Sequence, residues 1–175
     1  MRRLLLAAVA LVIASAGAAA IYQAVERARE HQALLSRGDQ AVREEETFAA
    51  IEAYSGAITL RPDSMLAHFR RGETYRRQGE LDEAVRDFGT AAALDPAAIR
   101  PLEALGDVFY ELERFSQAAA TYARALRLDD RSVRISYKLA LARYHNDDLD
   151  GTLAALAVIE LSILVPVMMV LYARR

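Results

Sequence analysis

Met65 to Ala98 reads MLAHFRRGETYRRQGELDEAVRDFGTAAALDPAA, and two helical patterns meet inside it. Ala84, Phe88 and Ala91 are spaced i, i+4, i+7, which places them on one face of a helix. Gln78–Gly79–Glu80 interrupts the pattern, because glycine disfavours a helix interior. Asp95–Pro96 ends the second helix, since the residue before proline avoids the α region. Gly72 and Ala84 are small where the two helices must approach closely, and Tyr75 and Phe88 fill the remaining gaps. A shift of 34 residues brings the same residue types back. Gly38, Gly72 and Gly106 form one column. Ala50, Ala84 and Ala118 form a second, Tyr54, Phe88 and Tyr122 a third, and Ala57, Ala91 and Ala125 a fourth. Pro62 and Pro96 close two units, and Asp130 stands where a third proline would fall.

This period and these columns resemble the tetratricopeptide repeat (TPR). The resemblance implies an all-α, helix–turn–helix solenoid with three clear repeats and a degenerate fourth, preceded by an N-terminal apolar helix. The units fall at 31–64, 65–98, 99–132 and 133–152, the last being partial. The third keeps Leu105, Gly106, Phe109, Ala118, Tyr122 and Ala125, with the turn Leu112–Glu113–Arg114–Phe115. The first diverges: Ala41 replaces the first-helix aromatic, Glu44–Glu45–Glu46 forms the turn, and Thr47 stands where Leu81 and Phe115 stand later. In the fourth, Ser136, Leu139 and Ala140 hold their columns and Leu149 matches Phe115, but Thr152 replaces the alanine of the second helix. A divergent edge repeat is expected where one side lacks a neighbour.

The chain's 175 residues suit one domain. Hydrophobic residues make up 54% and charged residues 26%, with the Ala and Leu content that favours helices. Without cysteine there is no disulfide framework, thiolate nucleophile or lipid-modified thiol. The formal charge is −2, and Arg2, Arg3, Arg174 and Arg175 sit at the ends, so acids outnumber bases between them. No basic surplus is available for phosphates, which argues against nucleic acid as a partner. Lys138 is the only lysine, and this preference for arginine fits a GC-rich bacterial genome.

Both ends turn apolar. Leu4 to Tyr22 carries no charge, and at 1.5 Å per residue it would span roughly 28 Å as a helix, close to a bilayer's ~30 Å core. Residues 1–22 read first as a signal anchor, next as a cleaved signal peptide, with Ala14–Ser15–Ala16 and Ala18–Ala19–Ala20 as small-residue sites, and last as a merely buried helix. Either of the first two sends the array across the inner membrane, because flanking arginines stay inside. Residues 23–30 read as a helical linker. Residues 153–175 admit three readings: a capping helix, a membrane segment over 153–172, or a distorted end that leaves the repeat pattern. Glu160 costs ~2.5 kcal/mol or more at the centre of a membrane helix, while Arg174–Arg175 would make a basic flank.

No constellation for chemistry stands out. His31, His68 and His145 fall in different columns, which gathers no metal site. Asp147, Asp148 and Asp150 beside His145 lie in a turn, where Asp is favoured for capping, and their spacing departs from the calcium loop. G-x-S-x-G, H-E-x-x-H, G-x-G-x-x-G and G-x-x-x-x-G-K-[ST] are absent from the sequence. The expectation is a non-enzymatic protein with no cofactor and no metal.

In TPR proteins the first helices of successive repeats line a concave groove. That resemblance implies four inward rows here: Gln32, Leu66, Arg100, Arg134; Leu35, Phe69, Glu103, Tyr137; Asp39, Glu73, Asp107, Leu141; and Val42, Arg76, Tyr110, Tyr144. With Arg77, the groove candidates are Leu35, Asp39, Leu66, Phe69, Glu73, Arg76, Arg77, Arg100, Glu103, Asp107, Tyr110, Arg134, Tyr137 and Tyr144. Aromatics offer contact area, arginines bidentate capture of carboxylates, and acids a counterpart to basic segments. Such a surface suits an extended peptide or a partner helix. Some family members grip a terminal carboxylate with Lys and Asn in the second and third rows; those rows hold neither residue here, so that chaperone-tail specificity is not expected. The expected function is a protein–protein interaction scaffold at the bacterial cell envelope, with the array facing the periplasm or released there after signal cleavage. The alternative is a membrane protein that self-assembles through its repeat ends and apolar tail into homo-oligomers.

Overall fold

The computed structural model describes the backbone of residues 2–157 and the side chains of 15–157. Every element among them is helical. The helices are α1 (Arg2–Arg43), α2 (Thr47–Leu60), α3 (Met65–Gln78), α4 (Leu81–Leu94), α5 (Ile99–Glu111), α6 (Phe115–Leu126) and α7 (Val133–His145), followed by an eighth, α8, over 149–157. They group into two compact units, Met1–Asp63 and Ser64–Arg175. The first pairs α1 with α2. In the second, α3 packs on α4, α4 on α5, α5 on α6 and α6 on α7, so each helix meets its neighbours in sequence.

The sequence columns become the core. Ala50, Ala84, Ala118, Ala57, Ala91 and Ala125 are fully buried, and Tyr54, Phe88 and Tyr122 are buried beside them. The glycine column is required by this packing. A Cβ on Gly38 would lie 2.4 Å from Tyr54 Cε1, one on Gly72 2.9 Å from Phe88 Cδ1, and one on Gly106 2.6 Å from Tyr122 Cε1. Each glycine thus lets the aromatic of the second helix lie flat against the first. In the second unit, Phe69, Ala84, Phe88, Leu105 and Val108 form one cluster. Leu102, Tyr122, Ile135, Leu139 and Ala155 belong to the next.

The inter-helix turns repeat as closely as the core. Gly79 ends α3 in the left-handed region at φ 80°, its N–H donating to the Arg76 carbonyl. Glu45, Glu113 and Asp147 occupy the same column and take φ values of 61°, 58° and 58°. The absence of glycine from those turns therefore leaves their geometry unchanged.

The ends differ from the sequence expectation in extent. α1 runs from Arg2 through Arg43 without a break, across the boundaries drawn at 22 and 30. Among the described residues no helix is long and apolar enough to cross a membrane. The span expected over 4–22 lies largely outside the described side chains, and residues 158–175 lie outside the described chain. The fourth repeat does not stop at 152. Asp148 starts α8 by accepting from the Gly151 N–H at 2.9 Å, and Ala155 is buried in the core, so the second helix of this repeat exists and docks. The side chains of Leu149, Leu153 and Leu156, at i, i+4, i+7 on α8, face solvent.

Candidate functional site

In the second unit the first helices of the repeats, α3, α5 and α7, carry a run of open concavities. The largest, about 410 Å³, is walled by Tyr110, Tyr122, Tyr137 and Leu141, with Arg76, Asp107, Glu111, Arg134 and Lys138 among them. A second of about 370 Å³ shares Arg76 and Glu111 with it and adds Glu73 and Arg77. A third of about 270 Å³ lies at the starts of α3 and α5, between Met65, Leu66, Phe69, Ile99, Arg100 and Pro101. Tyr137 and Tyr144 are more than half exposed on α7.

Ion pairs bind the three helices together along this surface. Arg76 of α3 donates through Nε to Glu111 Oε1 at 2.8 Å and lies 3.5 Å from Asp107. Lys138 Nζ of α7 reaches both Glu103 and Asp107 at 2.7 Å, and Arg134 pairs with Glu103. Asp107 also accepts from the Tyr122 hydroxyl at 2.7 Å. Glu103 is buried, and a buried carboxylate is tolerated only when paired, as it is here by two cations. Arg100 stacks its guanidinium 5.0 Å above the Phe69 ring and stands 3.9 Å from Glu73.

The electrostatics follow from these contacts. Burial, the largest influence on Arg76, favours its neutral form, yet the hydrogen bond and charge of Glu111 and the charge of Asp107 outweigh it and raise its pKa. Burial, followed by the hydrogen bond to Asp107, pushes the Tyr122 phenol far above its usual range and keeps it a donor. Nearby, His145 stacks on Phe115 with centroids 4.9 Å apart, and Tyr110 meets Phe115 edge-on at 5.3 Å. Among the described residues no three His, Cys, Asp or Glu side chains converge as metal ligands.

Comparison with known proteins places this architecture. One family model, a tetratricopeptide repeat, matches residues 35–99, and a second, a TPR repeat, matches 106–147. The chain belongs to the tetratricopeptide repeat family. Small glutamine-rich tetratricopeptide repeat-containing protein 2 of Mycosarcoma maydis is 28% identical over 110 residues, which cover 63% of this chain and 31% of that protein. Hsp70-Hsp90 organizing protein 3 of Arabidopsis thaliana is 25% identical over 96 residues, 55% of this chain and 17% of its own. The chain thus spans a third or less of these relatives. Among solved structures, MamA protein superposes with a TM-score of 0.71 at 20% identity, covering 76% of this chain and 73% of its own. The first TPR of Spaghetti (RPAP3), bound to the HSP90 peptide SRMEEVD, superposes with a TM-score of 0.64 at 18% identity, covering 68% of this chain and 94% of its own.

Within this TPR array the sequence-derived candidates divide. Arg76, Asp107, Tyr110, Arg134 and Tyr137 meet at the largest concavity. Glu73 and Arg77 line the second, and Leu66, Phe69 and Arg100 the third. Tyr144 is exposed beyond them. Leu35 and Asp39 belong to the first unit, where Leu35 is buried and Asp39 accepts from the Tyr54 hydroxyl at 2.7 Å. Phe69 is 6% exposed, a core residue packed on Phe88, and Glu103 lies beneath Arg134 and Lys138. Burial in these rows arises because the helices meet closely there, which the column pattern alone does not report. Three lining residues were missed, Glu111, Tyr122 and Lys138, while Leu141 stood in an inward row without being carried into the groove candidates. Glu111 shares the column of Arg77 one repeat on, so extending that column finds it. Lys138 had one signal, its being the sole lysine. Tyr122 was read only as core.

Proposed function

We propose that this chain is a non-enzymatic interaction scaffold that docks a segment of a partner protein along α3, α5 and α7. The observation that carries the reading is the set of concavities on these helices, with exposed Tyr137 and Leu66 at their walls and arginines in each. Its largest member falls in the range of ligand pockets, about 300–1,000 Å³. The similarity to a TPR domain solved with an HSP90 peptide supports the mode of binding. It does not extend to the same ligand, because Glu73 and Asp107 occupy the row where a terminal carboxylate would need cations. A photocrosslinking residue placed at Tyr137 or Leu66 in cells is expected to give discrete protein adducts that one placed at Thr90 or Ala120, exposed on α4 and α6, does not. Identical adducts from both faces, or none from the groove, would refute docking there.

The same proposal places the array at a bacterial envelope, supported by the Arg2–Arg3 flank and the uncharged run 4–22. A periplasm-dependent reporter fused after Ser132 should be active; activity only of a cytoplasmic reporter there would reject this placement.

Self-assembly is a second reading, favoured by the solvent-facing Leu149, Leu153 and Leu156 on α8. Mass measurement in detergent of the chain with and without 153–175 tests it, and a monomer in both forms would sink it.

A further inference from the structure

Two concavities on the second unit each include a largely exposed arginine, Arg100 in one and Arg134 in the other, and these two share a column. The hollow of about 270 Å³ between the starts of α3 and α5 is lined by apolar side chains apart from Arg100. The hollow of about 410 Å³ presents Tyr110, Tyr137 and Leu141, with Arg134 among the charged side chains of its wall. The Arg100 side chain is 79% exposed against 40% for its partner Glu73, and that of Arg134 is 68% exposed against 7% for Glu103. Arg134 lies outward over a buried Glu103, and Arg100 is more exposed than its half-buried partner Glu73, so both guanidiniums are presented to an incoming chain. Arg100 and Arg134 also sit in the first turns of α5 and α7, where the helix dipole favours anions over cations. Helix stability therefore does not account for them. Each guanidinium has five N–H donors, so the pairing with Glu73 or Glu103 leaves others for a second carboxylate.

We propose that the groove recognises an internal, extended segment bearing two bulky apolar side chains four to five residues apart, each followed by a carboxylate. The spacing follows from the helix geometry. The hollows are one interhelical step apart, ~10 Å, and are offset along α5 by about eight residues, ~12 Å, which gives a diagonal of ~15 Å. Extended chain covers that in four to five residues at about 3.3 Å each. The segment is internal because the cations deeper in the groove, Arg76 and Lys138, are engaged by Asp107, Glu111 and Glu103.

This inference rests on the docking reading, and its test is separable from it. The probe is the fluorescein-labelled peptide Leu-Glu-Ser-Gly-Ser-Phe-Glu with both ends blocked, titrated by anisotropy against the full chain in nonionic detergent. Two comparison peptides replace both Glu by Gln, or delete Ser-Gly-Ser. Each comparison peptide is expected to bind about tenfold or more weakly than the first. Arg100→Gln with Arg134→Gln should weaken the Glu peptide to the level of the Gln peptide, and should leave the Gln peptide little changed. Both side chains are exposed, and an unchanged helical circular dichroism spectrum checks the fold. Equal binding of the Glu and Gln peptides, equal binding of the shortened peptide, or no binding of any of the three overturns the inference. If groove crosslinks persist in that case, docking stands and only its proposed chemistry falls.

Discussion

Single residues hold this fold at two kinds of position. One is the left-handed turn column, Glu45, Gly79, Glu113 and Asp147, where only one repeat has glycine. An L-residue with a Cβ costs about 1–2 kcal/mol in that conformation. Gly79→Ala is therefore expected to destabilise the chain by about 1 kcal/mol, and Glu113→Gly to stabilise it by less than that, because glycine's freedom in the unfolded chain offsets part of the gain. Urea midpoints of the two variants check the signs; a loss in both would mean that Glu113 contributes something besides its backbone. The other position is the close-approach glycine. The sequence gives Gly79 away as a breaker, and Gly38, Gly72 and Gly106 as small. That Glu113 bends as Gly79 does was not legible, because the turn's conformation is imposed by the two helices it joins.

Within a helix pair, the repeats join their two helices by different polar means. In the first and third, the Tyr54 and Tyr122 hydroxyls donate to Asp39 and Asp107, both at 2.7 Å. In the second, Phe88 has no hydroxyl and Glu73 replaces the aspartate. There α3 and α4 are joined instead by Asp87, which accepts from Arg71 Nε at 2.7 Å and Nη2 at 2.8 Å, with His68 Nδ1 3.1 Å away. Both Asp87 and His68 are buried. Asp87→Ala should cost about 3 kcal/mol, since it strands a partly buried guanidinium. Tyr122→Phe should cost about 1 kcal/mol, because Asp107 keeps Lys138. Chemical denaturation that found the two losses equal would contradict this ranking. The pairing of Asp with Tyr and of Glu with Phe is readable in the columns. The substitute cluster is not, since His68, Arg71 and Asp87 look like unrelated polar residues until two helices face each other.

At the scale of the whole molecule, a pH dependence arises in the first compact unit. His31, buried in the first, has its pKa lowered from 6.5, chiefly by burial and then by the charge of Arg61, with Asp63 opposing. The unfolded chain therefore takes up a proton more readily than the folded one. Stability is complete above about pH 6.5 and falls as the pH drops through the interval between the unfolded and the lower folded pKa. Thermal unfolding of wild type should show this loss, and His31→Gln should flatten it; an unchanged pH profile in the variant would assign the loss elsewhere. The second unit carries its charges in a shared surface network linking α3, α5 and α7, where each repeat stabilises the next in the manner of a solenoid.

The sequence by itself determined the helices, the repeat period and the family, because a solenoid's core is built from local columns that recur at one spacing and need no distant partner to be read. It also pointed to most of the groove, since first-helix positions carry over from one repeat to the next. The tertiary structure decided which of those positions are surface. Phe69 and Glu103 sank into the packing, Leu35 and Asp39 were taken by the first unit, and Lys138 and Glu111 came to the centre of the ion network. Exposure and charge pairing depend on how closely neighbouring helices approach, and that distance is set by side chains from several repeats at once.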